Sequence, residues 1–155
     1  MSDVYLGNPN LKKANTPIEF TGEQINEWIR CKNDPVYFAN NYIKIVSLDE
    51  GLTQFHPYDF QEKLINNFHE NRFNICKMPR QTGKSTTVVS YLLHYAVFND
   101  SINIGILANK AATARELLGR LQTAYENLPK WMQQGIIAWN KGSMELENGS
   151  KILAA

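Results

Sequence analysis

The sequence predicts an α/β fold, a parallel sheet flanked by helices, and three observations predict it. Residues 72–77, Arg-Phe-Asn-Ile-Cys-Lys, form a short, largely apolar run of the kind that makes a buried strand, and residues 85–98 follow as an apolar helix. Between them, Met78-Pro79-Arg80-Gln81-Thr82-Gly83-Lys84-Ser85-Thr86 matches the phosphate-loop pattern G-x-x-x-x-G-K-[ST] at Gly83, Lys84 and Ser85, with Met78 where the first glycine belongs. A second strand at 102–108 and a second helix after it repeat the unit, and the right-handed crossover rule makes that strand parallel.

Taken in order, residues 1–20 have no sustained period and carry Gly7, Pro9 and Pro17, so they read as an extended N-terminal arm. Residues 21–56 read as a small helical or lid subdomain. Thr21 is an N-cap with Gln24 three residues on, and Ile25, Trp28 and Ile29 share one face of the helix it opens. Asp34 and Pro35 open the next helix, which partly buries Val36, Phe38, Ala39 and Tyr42. Residues 43–48 alternate as a strand, Asp49-Glu-Gly51 is a turn, and residues 52–55 return.

Residues 57–155 form the core that carries the loop. A helix begins near Pro57 and directs Phe60, Leu64, Ile65 and Phe68 inward. Helix 85–98 is apolar on nearly every side, which suits an element sandwiched between a sheet and its neighbours. Asn109 is the expected cap of the next helix, with Ala114, Leu117, Leu118 and Leu121 inside and Lys110, Arg115 and Arg120 outside. Leu128-Pro129 ends it, and residues 142–146 and 150–153 form a hairpin turning at Glu147-Asn-Gly149.

Composition bounds the function. The 155 residues, 43% of them hydrophobic, suffice for one domain with a sizeable core. A net charge of +1 gives no global electrostatic footprint for nucleic acid, so any grip on DNA would be a local patch. Lys12, Lys13, Arg30 and Lys32 are the nearest thing to basic clusters and read as a solvated face. No apolar run is long enough to span a membrane, and no signal-peptide layout is present. Cys31 and Cys76 have no metal-site or disulfide spacing and read as reduced core or near-core thiols. His69 and His94 stand apart from other ligand types, and Tyr91, Tyr95 and Phe98 form a helical stripe that reads as core.

The loop carries the chemistry. Successive N–H groups from Gln81 to Lys84 can curl around a phosphate, and Gly83 admits it without a Cβ. Lys84 reaches the β- and γ-phosphates, Ser85 offers its hydroxyl to Mg²⁺, and the helix N-terminus adds its dipole. The implied ligand is ATP with Mg²⁺, held by Arg80, Gln81, Thr82, Gly83, Lys84, Ser85 and Thr86; the competing reading is a Gly-Lys-Ser turn that merely opens a helix. Arg80 places a guanidinium inside the cradle. It either offsets charge on the transferring phosphoryl group, or pairs with a carboxylate or with DNA.

Pro79-Arg-Gln-Thr-Gly-Lys-Ser-Thr86 resembles the deviant Walker A loop of large terminase subunits, the DNA-packaging motor ATPases of tailed phages. Asp34-Pro-Val-Tyr-Phe-Ala39, Tyr58-Asp-Phe-Gln61, Gly105-Ile-Leu-Ala-Asn-Lys110, Trp139-Asn-Lys-Gly-Ser143 and Leu146-Glu-Asn-Gly-Ser150 extend the likeness to the T-even type, particularly that of cyanophages. The resemblance implies a P-loop NTPase of the ASCE type whose ATP hydrolysis, with Arg80 and Lys84 as catalytic residues, drives double-stranded DNA into a procapsid. It implies as partners the portal protein, the small terminase subunit and further copies in a ring, in the cytoplasm of an infected host. Gln61 resembles the adenine-reading glutamine of this family, since an amide can both donate to and accept from the adenine edge; the plain alternative is an exposed helix glutamine. The family's second glutamine is here displaced to Gln54 or replaced by His56. No apolar run ending in Asp-Glu, as an ATPase requires to hold Mg²⁺ and position water, occurs in these residues, and the family's nuclease domain is likewise missing, so this stretch is expected to bind nucleotide weakly and turn it over poorly. Other readings of the same residues are a helicase-like P-loop ATPase and a non-catalytic module that occupies a motor ring.

Overall fold

The computed structural model describes residues 3–155. Helix α1 (Gly22–Asn33) opens as its sequence predicts. Thr21 Oγ1 accepts from Gln24 N–H at 3.2 Å and Gln24 Oε1 accepts from Thr21 N–H at 3.1 Å, a reciprocal cap that stabilises a helix by about 1 kcal/mol. The Asp34 carboxylate does the same for α2 (Pro35–Tyr42), accepting from the N–H groups of Val36 and Tyr37. Strands β1 (Lys44–Ser47) and β2 (Gly51–Gln54) pair as an antiparallel hairpin.

Helices α3 (Asp59–Glu70) and α4 (Lys84–Phe98) follow one another, β3 (Asn103–Ile106) and α5 (Ala111–Glu126) come next, and β4 (Ile136–Trp139), β5 (Ser143–Leu146) and β6 (Lys151–Ala154) close the chain. The four later strands make one sheet in the order β3-β6-β5-β4. It is mixed rather than parallel throughout. Only β3 and β6 run parallel, because α5 and two strands intervene between them, whereas the short turns joining β4, β5 and β6 permit only antiparallel neighbours. Helix α5 packs on β3 and β6, α4 packs on α5, and α2 and α3 cover α4. A single apolar core runs through all of them, from Phe38 of α2 and Ile65 of α3 through Leu93 of α4 and Leu118 of α5 to Ile152 of β6. Residues 21–56 thus share their core with the rest of the molecule.

Several expectations are corrected here. Residues 72–77 form no strand: Phe73 is 83% and Ile75 100% exposed, and no ladder reaches them. Side-chain pattern favours an extended backbone, but a strand exists only where its N–H and C=O groups meet a neighbour, and among the described residues β3 bonds to β6 alone. Asn109 does not cap α5. The cap position falls to Lys110, without a side-chain hydrogen bond, because Asn109 stands one residue too early for its amide to reach the first free N–H groups. Phe60 is exposed and stacks on Tyr58 at 6.0 Å; the buried pair Gln61 and Ile65, one helical turn apart, sets the inner face of α3 and turns Phe60 off it.

The arm is the largest departure. Residues 3–15 fold back on themselves around a short turn (Tyr5–Gly7) and lie against the β4 edge. Ile136 N–H donates to Lys12 O at 2.9 Å and Ala14 N–H to Ile136 O at 3.3 Å, so the arm supplies that edge with a partner. Leu11 enters the core. Lys12, expected on a solvated face, is only 8% exposed and pairs with Glu147 at 3.3 Å. Burial alone would raise the Glu147 carboxyl, but the N–H groups of Gly135 and Asn15 and the Lys12 ammonium together hold it below its ordinary value. Both cysteines are free, Cys31 buried and Cys76 half-buried. Among the described residues no helix is long and apolar enough to cross a membrane.

Candidate functional site

Helix α4 is held at one end and open at the other. At its C-terminal end the Asn148 amide, carried on the β5–β6 turn, donates to Ala96 O at 2.9 Å and Asn99 O at 3.1 Å, and Gln134 Nε2 donates to Val97 O at 3.1 Å. These side chains satisfy carbonyls that a helix end otherwise leaves bare. One turn earlier, His94 Nε2 donates to Cys31 O at 2.8 Å and ties α4 to the end of α1. A carbonyl can only accept, so Nε2 carries the proton.

The N-terminal end begins in a left-handed turn. Gly83 at the cap position has φ +73° and Gln81 has φ +59°, conformations that turn successive N–H groups to one side and make an anion-binding concavity. Thr82 Oγ1 donates to Pro79 O at 3.0 Å and closes the loop on itself. The N–H groups of Gln81, Thr82, Gly83 and Lys84 meet no acceptor among the described residues. Neither Lys84 nor Arg80 has an ion-pair partner among them. Arg80 and Gln81 are exposed, and Thr82 to Thr86 half-buried. Four free donors, two uncompensated cations, the Ser85 hydroxyl and a helix N-terminus therefore lie within one stretch of six residues. These are the features that suit a phosphate chain.

Two residues support the loop from behind. Thr87 is buried, with its N–H and Oγ1 both donating to Gly83 O, at 3.0 and 2.8 Å. Sequence reasoning did not single it out, although a threonine four residues after a cap carbonyl is placed to back-bond to it. Gln61 is 3% exposed. Its Oε1 accepts from Tyr58 N–H at 2.9 Å, and its Nε2 lies 3.4 Å from Gly83 O and 3.5 Å from Thr82 O. The amide that the sequence assigns to an adenine edge is thus engaged inside the protein.

Beside the loop lies a cleft of about 420 Å³ that shares Thr86 with it. Ile43, Lys44, Ile45 and Val46 of the hairpin side line it together with Val89 of α4 and Arg120 of α5. Among the described residues no group of three or more His, Cys, Asp or Glu side chains gathers as a metal site, and His69 and His94 lie in an aromatic cluster with Tyr91 and Phe98.

The family model described as terminase large subunit, T4likevirus-type, N-terminal matches residues 75–155, just over half of the chain. The matched region takes in the loop, α4, α5 and the whole four-stranded sheet; Gln61 and the arm lie before it.

Proposed function

Because the chain belongs to the T4likevirus-type terminase large subunit family, matching its N-terminal part, we propose that loop 79–86 binds the triphosphate of ATP, with Mg²⁺, as an energy-coupling site in phage DNA packaging. The observation that carries this is the row of four unpartnered N–H groups from Gln81 to Lys84 at the open end of α4. Three of the four belong to the half-buried Thr82, Gly83 and Lys84, and half-buried donors left without partners are costly unless a ligand or water meets them. A phosphate chain fits because all four are donors, and Lys84 and Arg80 supply positive charge not already spent on a carboxylate.

In this reading Lys84 neutralises the β- and γ-phosphate oxygens, and Ser85 is the protein's own ligand to Mg²⁺. Thr82 holds the loop closed, and Gln81, Gly83 and Thr86 line the phosphate path. Arg80 stands at the exposed rim, where a guanidinium can meet charge that develops on a transferring phosphoryl group. When bound, Mg²⁺·ATP supplies the phosphoryl group whose transfer to water releases the energy. The cleft bounded by Val89 and the hairpin side continues from Thr86 and has the apolar walls a nucleoside needs. Through its family the chain is proposed to act on double-stranded DNA with a portal protein, a small terminase subunit and further copies of itself.

Titration with a fluorescent ATP analogue in Mg²⁺ tests the reading. Saturable binding by the unaltered chain, lost in Lys84→Ala while cooperative melting persists, is the expected result. Absence of saturable binding by a chain that melts cooperatively would overturn it.

A further inference from the structure

We propose that the β1–β2 hairpin clamps the nucleoside: Val46 and Leu48 close over the base and ribose of a nucleotide whose phosphates lie on loop 79–86. This rests on the reading of that loop as a triphosphate site. The hairpin has two unlike faces. Ile45 and Thr53, paired across the ladder, are half-buried, and Ile45 packs on the core, whereas Val46, one residue on, turns the other way and is 70% exposed. Leu48, at the turn, is fully exposed. A single exposed leucine is ordinary, but Val46 and Leu48 both line one cavity, and an apolar surface gathered at a cavity wall is a feature of ligand sites.

The position of the cavity selects the occupant. Its volume of about 420 Å³ is that of a small-ligand pocket, and it shares Thr86 with the phosphate loop. A ligand anchored by its phosphates along residues 81–86 therefore has its other end within reach of the hairpin, and in a nucleotide that end is the ribose and the flat base. Aliphatic side chains meet the faces of a base and leave its polar edge to amides and other hydrogen-bonding groups, so the clamp favours a nucleoside over bare phosphate without itself choosing among bases. The root of the hairpin is fixed. Phe55 N–H donates to Ile43 O at 2.8 Å, and the Gln54 amide donates to Ile43 O at 2.7 Å and to Ala39 O at 3.2 Å. Among the described residues, the backbone hydrogen bonds of residues 45–53 join only the two strands to each other. The tip can tilt onto a ligand without breaking a backbone bond to the rest of the fold.

The test uses Val46→Thr and Leu48→Gln, exposed positions where substitution leaves the fold intact, with cooperative melting as the control for folding. Leu52→Gln removes an apolar group from the same hairpin at a position outside the cleft. By titration calorimetry, affinity for Mg²⁺·ATP is expected to fall about tenfold in Leu48→Gln and about threefold in Val46→Thr, the scale of a partly buried aliphatic side chain, and to be unchanged in Leu52→Gln. Affinity for the Mg²⁺ complex of tripolyphosphate is expected to be the same in every variant. Amide hydrogen exchange across residues 44–54 is expected to slow with ATP and not with tripolyphosphate. An equal loss for both ligands, or undiminished ATP affinity in Leu48→Gln, would overturn the proposal. If the unaltered chain binds tripolyphosphate as tightly as ATP, the clamp is refuted and the triphosphate reading stands; if it binds neither while melting cooperatively, the triphosphate reading fails and the clamp with it.

Discussion

Gly135 lies backbone to backbone against Ala14: a β-carbon at Gly135 would come within 2.5 Å of Ala14 Cα and 2.7 Å of Lys13 O. This contact lets the arm reach the β4 edge, and Gln133 secures it. Gln133 Oε1 accepts from Lys12 N–H at 3.0 Å, and its Nε2 lies 2.9 Å from Asn10 O and 3.2 Å from both Tyr125 O and Leu128 O. Gly135→Ala is expected to lower stability by about 1–3 kcal/mol, the range for overpacking a close contact, and to expose residues 3–15 to protease. Limited proteolysis read by mass spectrometry checks it; cleavage in the arm at the unaltered rate would refute the contact.

Asn148 holds the other end of α4. Asn148→Ala leaves the Ala96 carbonyl without its side-chain donor, while Asn99 O keeps that of Ser150 Oγ at 2.9 Å, a loss of about 1–3 kcal/mol. Asn148→Asp is expected to be worse, since a carboxylate would face carbonyls and the negative end of the helix dipole. Denaturant melts of the two variants should rank Asp below Ala; the reverse order would contradict this account.

His94 makes stability depend on pH. Burial, with a smaller contribution from the neighbouring His69, lowers its imidazole from 6.5 to about 4, and the backbone of Cys31 and Lys32 and the Asp34 carboxylate oppose this only in part. Between those values the unfolded chain binds the proton and the folded chain does not. This stability is therefore complete above about pH 6.5 and is lost as the pH falls toward 4, to the extent of about 3 kcal/mol. His94→Gln should flatten that slope in melts across the window, whereas His69→Gln should leave most of it.

Gly83→Ala combines two penalties, a left-handed φ of +73° and a collision with the Gln61 amide. The strain is about 1–2 kcal/mol and local to the loop. Binding of a fluorescent ATP analogue is expected to be lost while the core still melts cooperatively. Full affinity in this variant would show that the loop does not need its present shape.

Much of the fold was legible because its causes are local. The Thr21 and Asp34 caps, the hairpin before α3, helices α4 and α5 and the Glu147-Asn-Gly149 turn each depend on residues within a few positions of one another. The left-handed turn at Gly83 that opens α4 is local in the same way. Asn148, Gln133 and Glu147 were not recognised as structural ties, because their partners lie far along the chain: Ala96 for the first, Asn10 and Lys12 for the second, Asn15 for the third. A polar side chain does not announce a distant carbonyl.

By itself the sequence determined where α1 and α2 begin, where the chain turns at Glu147-Asn-Gly149 and where a glycine stands to admit the left-handed turn before α4. Those depend on capping geometry, side-chain period and the freedom of glycine at a left-handed turn. Only the tertiary structure decided that residues 72–77 stay unpaired, that the arm covers the β4 edge, and that Gln61 faces the back of the loop. Each of these depends on which backbone groups find partners across space, and pairing of that kind is set by packing rather than by the residues on either side.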